Sequence, residues 1–313
     1  MVGTIILFLL PLVASPYLSF LAAQYYLFGL LGISLGIMWG YGGILSFGQA
    51  AFFGLGAYIM AWSFGLSPLP INPAYIALMI APLATGLTAG LLGLVLFYSD
   101  VKDVYFVIIT LALSVILEQL AVSASDIFGG FNGIYVPRMA LSIPGLFSIK
   151  LINDRLFYYV ALLAMLGGYV VCYRVVNSPF GERLIAIREN ERRTKSLGYD
   201  TAWYKTQAFA LSGSLAGIAG ALYATLSQFV SPPLTGFVLS TEVVIWVAVG
   251  GRTLLLGAAV GSILVNAAST VLSSVIASQY IMILGILFII VVVAFRRGIV
   301  GYIIDRYDIK GKL

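Results

Sequence analysis

The 313-residue chain contains no histidine and only one cysteine, Cys172. The first absence removes Ser-His-Asp and Cys-His nucleophile pairs, together with histidine-ligated metal sites. The second removes any intrachain disulfide and leaves Cys172 to pack as a small apolar residue. Charge is scarce too. Only 9% of residues are Asp, Glu, Lys or Arg, and residues 1–99 contain none, whereas soluble domains average about 25%. Lys195 and Lys205 precede Ser196 and Thr206 but lack the glycines of a phosphate-binding loop. Any ATP used must therefore be bound by another chain. What the sequence has in excess is apolar surface, with 61% hydrophobic residues and a mean hydropathy of +1.05. A soluble fold of this length cannot hide that much, so the chain reads as an all-α polytopic membrane protein.

A bilayer core of ~30 Å asks for about 20 apolar residues per helix. The expected spans are 3–20, 22–39, 44–64, 74–97, 104–122, 156–174, 206–228, 236–250, 253–276 and 279–295, or about eight to ten transmembrane helices. Loop signals separate them, among them "GLSPLPINP" at 65–73, "YSDVKD" at 98–103 and "SPPLTG" at 231–236. The net charge of +5 is concentrated: seven of 17 basic residues lie from Arg174 to Lys205 and five from Arg296 to Lys312. Such clusters beside spans mark cytoplasmic segments and argue against a nucleic-acid partner. The segment 175–205 and the C-terminal tail are thus expected inside. Residues 65–73, 123–155 and 229–236 are expected outside, and an even number of spans puts the N-terminus inside. The N-terminal run lacks a basic start, and Pro16 directly follows its small-residue site, so it reads as a first span rather than a signal peptide.

Glycine interrupts two of these spans. "GGILSFGQAAFFG" at 42–54 and "GGRTLLLGAAVGS" at 250–262 each place a Gly-Gly ahead of further small residues. Broken backbone at membrane depth is tolerated where protein or water satisfies it, and a corresponding pair of breaks points to a translocation route and an internal repeat. Gly32, Gly36 and Gly40, and likewise Gly213, Gly217 and Gly220, fit the small-residue spacing that lets helices approach closely.

"NSPFGERLIAIRENERRTKSLGYD" at 177–200 is the one long polar stretch. It reads as a helix capped by Asn177 or Ser178, with Pro179 in the first turn and Gly198 as its stop. Glu189 and Arg193, and Glu191 and Lys195, are acid-first pairs four apart. Leu184, Ile185 and Ile187 make an apolar patch. The local physics leaves two readings open, a juxtamembrane helix on anionic lipid headgroups and a knob for a partner's groove.

Taken together, "WGYGGILSFGQAAFFGLGAY", "ITLALSVILEQL" with "GGFNGI", "SPFGERLIAIRENERRTKSLGYDTAWYKTQAFALSGSLAGIAGALYA" and "LGILFIIVVVAFRRGIVG" resemble the LivM-type permeases of bacterial ABC importers. That family serves branched-chain amino acids, and a sister branch serves urea and short amides. The stretch 240–266 is similar to the urea branch, while "GGFNGI" suits either. The resemblance implies one transmembrane permease domain over 1–313 in the bacterial inner membrane. It also implies a LivH-like second permease, two cytoplasmic ATPase subunits that hold ATP and Mg, and a periplasmic substrate-binding protein. Surrounded by membrane lipid, this chain itself would bind no cofactor and catalyse no bond chemistry. In such permeases a short cytoplasmic helix couples the ATPases to the pore. Its positions here are Gly181, Glu182, Arg183, Ile187, Arg188, Glu189, Asn190 and Gly198.

Ionisable residues inside spans are costly and mark pathways; Glu118 and Glu242 qualify, both expected near the outer interface. Ser46, Gly48, Gln49 and Asn132 are uncharged pathway candidates, Gln49 above all, because a buried amide without a lining role is expensive. An ion-gradient-driven transporter would call for acidic or histidine relays in mid-span. An intramembrane enzyme would call for a nucleophile pair or paired carboxylates. The sequence offers neither set.

Overall fold

The computed structural model describes residues 15–65, 72–101, 103–143, 147–150, 153–275 and 298–302, with the single residues 11 and 285. Its helices are α1 (Pro16–Gly36), α2 (Gln49–Gly65), α3 (Pro73–Tyr98), α4 (Asp103–Ser123), α5 (Asp154–Val176), α6 (Pro179–Ser196), α7 (Thr201–Ser227), α8 (Phe237–Gly250) and α9 (Leu255–Val275). Six helices are long and apolar enough to cross a membrane, beginning with α1 extended to Tyr41 and continuing with α3, α4, α5, α7 and α9; α8 is apolar but shorter. The expected span 279–295 lies outside the described residues apart from residue 285, as does the basic tail apart from 298–302.

One expected boundary is wrong. The sequence reading divides the N-terminal region into spans 3–20 and 22–39, but α1 runs unbroken from Pro16 to Gly36. Ser15 starts it, its hydroxyl accepting the Leu18 N–H at 3.3 Å while Pro16 occupies the first turn. Pro16 is therefore a helix start rather than an interruption. Similarly, α7 begins five residues earlier than the expected span, at Thr201, because the Asp200 carboxylate accepts the Trp203 N–H at 3.1 Å.

Helices α1 and α7 are the enclosed pair, and α4 is the most exposed of the long helices. Helix α7 packs on α3 and α2, and α1 packs on α5, α9 and α7. Small residues set these crossings. Thr85 and Ala89 of α3 lie against Gly213 of α7, Thr85 also meets Gly217, and Ser262 and Ala258 of α9 press on Gly32. The packing reading of both glycine runs holds. Polar pairs add specificity inside the apolar bundle, with the Tyr26 and Tyr158 hydroxyls 2.8 Å apart between α1 and α5. The Tyr58 hydroxyl is buried without a protein partner. Tyr58→Phe is accordingly expected to leave the unfolding temperature unchanged or raise it, by up to about 1–3 kcal/mol of relieved desolvation, as thermal unfolding in detergent would measure.

At one end of the bundle, β1 (Ile134–Tyr135) pairs antiparallel with β4 (Phe229–Val230), and β2 (Ala140–Ile143) with β3 (Phe147–Lys150). Three glycines with positive φ, Gly129, Gly130 and Gly133, make the tight turn that leads into β1. The pairing places residues 134–135 beside 229–230 at one end of the bundle. The opposite end gathers the loop after α3, helix α6, and the breaks after α1 and α8.

Candidate functional site

The site begins where α1 stops being α-helical. Residues Ile37–Tyr41 form a π-helical turn, Gly43 has φ +74°, and the chain stays non-helical until α2 starts at Gln49. Hydroxyls from two other helices satisfy this broken backbone. Thr110 Oγ1 of α4 accepts the Phe47 N–H at 3.1 Å, and Ser114 of α4 donates to the Phe47 carbonyl at 2.8 Å. Ser240 of α8 accepts the Ala50 N–H at 3.3 Å and lies 3.1 Å from the Ser114 hydroxyl. Within the segment, Ser46 Oγ accepts the Gly48 N–H at 3.1 Å. An interrupted helix at membrane depth is tolerable only with such support.

The second glycine break lies beside the first. Gly40 rests against the Arg252 backbone, the Arg252 guanidinium stacks over the Trp39 ring at 5.6 Å, and Gly251 has φ +116°. The similarity of 42–54 and 250–262 is thus matched by a shared pattern, helix, glycine break, helix, with the two breaks in contact.

Gln49 is placed as a tie between helices. Its side chain is fully buried, with Oε1 accepting from Ser34 Oγ at 3.1 Å and Nε2 donating to Ser212 Oγ at 3.0 Å. The amide ties α1, α2 and α7 together and reaches no free surface of the chain. Its cost is met by hydroxyls rather than by a passing substrate. Ser46 is likewise buried. Gly48 is buried too, but an added Cβ would meet Thr110 and Ser46 only at ordinary contact, 3.4–3.5 Å. Gly48→Ala should therefore assemble and transport normally, as uptake into proteoliposomes would show, whereas a leucine there must displace Thr110.

The remaining pathway candidates are at surfaces. Glu118 is half-buried on α4, its carboxylate against Gly236 at the start of α8. Glu242 is exposed on α8, and Asn132 is exposed in the outer turn Gly130–Asn132. Ser114 opposite Ser240 and Glu118 opposite Gly236 make α4 and α8 antiparallel neighbours. Glu118 therefore sits where α4 meets the start of α8, while Glu242, two residues from Ser240, projects from a different face of α8.

Helix α6 starts at Pro179 and ends before Gly198 as expected, but Ser178 makes no side-chain cap, its hydroxyl donating to the Val175 carbonyl at 2.6 Å, and the helix bends at Asn190, whose φ −160° and ψ 93° are not helical. Asn190 then caps the second piece, its Oδ1 accepting the Arg193 N–H at 3.0 Å. Leu184 and Ile187 are buried against the chain itself, so most of the apolar patch is not a free knob. Gly181 is buried against Val176. The solvent-facing side of α6 carries Glu182, Ala186, Arg188, Glu189 and Asn190. Arg183 is held inward, donating to the Tyr204 hydroxyl at 2.7 Å, and Gly198 takes φ +89° at the stop.

The second piece of α6 is fastened to the bundle by Glu191, which accepts from Lys205 at 2.6 Å and from Thr201 at 2.9 Å, and by a 2.8 Å Lys195–Asp100 pair. A cavity of about 820 Å³ lies between it and the α3–α4 loop, lined by Phe97, Asp100, Arg192 and Lys195 among others. Lys195 holds the Asp100 carboxyl below its usual range, and Asp100 raises Lys195. A lowered acid loses its contribution as pH falls through the folded value, and a raised lysine as pH rises through its own. The pair therefore stays charged between roughly pH 4 and pH 10. Because both partners are exposed, salt rather than pH should loosen it. Hydrogen exchange in 191–197 is expected to speed up in high salt and to show no pH-specific opening from pH 5 to 9.

A family model described as "branched-chain amino acid transport system / permease component" matches residues 17–293. The chain is 30% identical over 244 residues to the high-affinity branched-chain amino acid transport system permease protein LivM of Salmonella typhimurium, covering 71% of this chain and 56% of that protein. LivM of Escherichia coli K12 is 31% identical with the same coverage. A probable branched-chain amino acid transport permease protein LivH of Methanocaldococcus jannaschii is 24% identical over 75% of this chain and 73% of its own length. The match thus spans little more than half the length of the two bacterial LivM proteins. No solved structure matches the chain.

Proposed function

We propose, from the premise that this chain belongs to the permease-component family of branched-chain amino acid transport systems, that it forms one half of an ATP-driven importer pore in the inner membrane. The family is one of transport permeases rather than enzymes. The observation that carries the mechanism is the broken segment 42–48, braced by hydroxyls and touched from the cytoplasmic end by α6. The second half is a LivH-like permease, two ATPase subunits hold ATP and Mg beneath, and a periplasmic binding protein delivers substrate. Branched-chain amino acids are the substrate this reading favours, since the similar LivM and LivH proteins are named for them.

We assign to the pathway the face where Glu118 of α4 meets the start of α8, with Glu242, exposed farther along α8, as a second acidic candidate. Carboxylates facing lipid are expensive, so protein or water must cover them. An acidic lining also suits the ammonium group of an amino acid. Glu118→Gln and Glu242→Gln are each expected to lower uptake about tenfold, equivalent to ~1.4 kcal/mol, with ATP hydrolysis retained. Vanadate on the reconstituted complex tests the class itself. It should stop leucine uptake, and uptake driven by an ion gradient without ATP would overturn the importer reading.

A further inference from the structure

We propose that Arg188 is a positioning residue that latches α6 to the broken segment, so that movement of α6 is delivered to Gly40–Gly48 through one guanidinium. This rests on the importer reading and goes inside it, because it gives Arg188, exposed on α6, a bond to the bundle as well. Its Nη1 donates to the Gly40 carbonyl at 2.5 Å, at the π-helical end of α1. Its stem lies on Gly43, where an added Cβ would sit 2.6 Å from Arg188 Cγ. Carbonyls at a helix C-terminus lack intrahelical donors and attract cations. The Glu189 carboxylate aims the guanidinium, accepting from its Nη2 at 2.7 Å and Nε at 3.2 Å.

The surroundings suit a moving part. Asn190, two residues on, is the non-helical joint of α6. Beyond it Glu191 is bonded to Lys205 and Thr201, while the first piece is held separately, by Arg183 on Tyr204 and by buried Leu184 and Ile187, so the two pieces meet the bundle through different contacts on either side of the joint. Cavities of about 350 and 140 Å³ flank Arg188, lined in part by Trp39, Gly43 and Thr253 and by Gly42, Ile44 and Lys205. On its far side the segment is bonded at Phe47 to Thr110 and Ser114 of α4. A displacement of Arg188 therefore pulls on backbone that ends against the proposed pathway helix.

The test uses the whole importer, purified through this chain and reconstituted in liposomes. Cys172→Ala clears the single native cysteine, and Leu45→Cys reports on the segment by its rate of maleimide labelling. With Arg188 present, labelling should differ at least about fivefold between ATP-free and vanadate-trapped states, a change of the size common in coupled equilibria. Arg188→Ala should reduce that difference to less than about twofold while the complex still assembles and hydrolyses ATP. Arg188→Lys, which keeps a donor for the carbonyl, should give an intermediate value. If Arg188→Ala does not assemble, Gly43→Ala, which drives a methyl into the arginine stem, must collapse the difference instead. A full difference in Arg188→Ala, or in Gly43→Ala where that variant decides, overturns the latch alone. Uptake by the parent protein that ignores vanadate overturns the importer reading and the latch with it.

Discussion

Gly220→Leu and Gly56→Leu should each prevent a stable chain from forming, the largest effects expected from single substitutions. At Gly220 an added Cβ would lie 2.6 Å from the Phe53 carbonyl carbon, and at Gly56 it would lie 2.7 Å from Gly217 Cα. These neighbours are backbone atoms, which cannot rotate aside as a side chain can. Even alanine forces α2 and α7 apart and should cost about 1–3 kcal/mol. Leucine needs several times that displacement and exceeds what a marginally stable fold tolerates. Gly167 is the control. Exposed on α5 with nothing within 4 Å of an added Cβ, it should accept alanine with a gain of roughly 0.5–1 kcal/mol from helix propensity. Thermal unfolding and the monodisperse yield in detergent read out all three sites. Gly56→Leu protein that melts like the parent would show that the α2–α7 crossing is looser than described.

Gln49→Glu should be nearly as damaging, whereas Gln49→Leu should be mild. Glutamate keeps the shape but loses the Nε2 donor to Ser212 and places a carboxylate in a site with no exposure. A buried group so changed costs about 3 kcal/mol or more. Leucine removes both amide bonds, yet the hydroxyls it leaves keep backbone acceptors. Ser34 still donates to Leu31 O at 2.6 Å and Ser212 to Ser34 O at 2.6 Å. The loss is then about 1 kcal/mol per bond. Measured together, melting temperature and uptake separate two roles for this amide. A scaffold residue gives Gln49→Leu with slightly lowered stability and retained uptake. A substrate-contacting residue would give unchanged stability and lost uptake, which would restore the lining role.

How far these roles were legible in the sequence differs from element to element. The start at Pro179 and the stop at Gly198 were readable, because proline and glycine act through local backbone conformation, whereas the expected Asn177 or Ser178 cap was not realised, both side chains turning back to carbonyls of α5. Ser15-Pro16 was equally local and was misread only because an apolar run on both sides suggested two spans. The bend at Asn190 has no local signal stronger than asparagine itself. It emerges when Glu191 is drawn to Lys205 and Thr201 of α7. Arg188 was expected to face a partner. Its actual acceptor lies 148 residues away in sequence, a separation that no periodicity encodes.

By itself, the sequence determined that this is a helical polytopic membrane chain, which segments gather its positive charge, and where glycine would interrupt its helices. Those properties follow from composition and from interactions within a few residues. Only the tertiary structure decided what each interruption is for. Gly220 and Gly56 are contact points between helix backbones, Gly43 seats an arginine, and Gln49 is sealed among serines of two other helices. Whether a polar group in a bundle meets substrate or a neighbouring hydroxyl depends on which helices pack beside it, and that is settled by non-local packing.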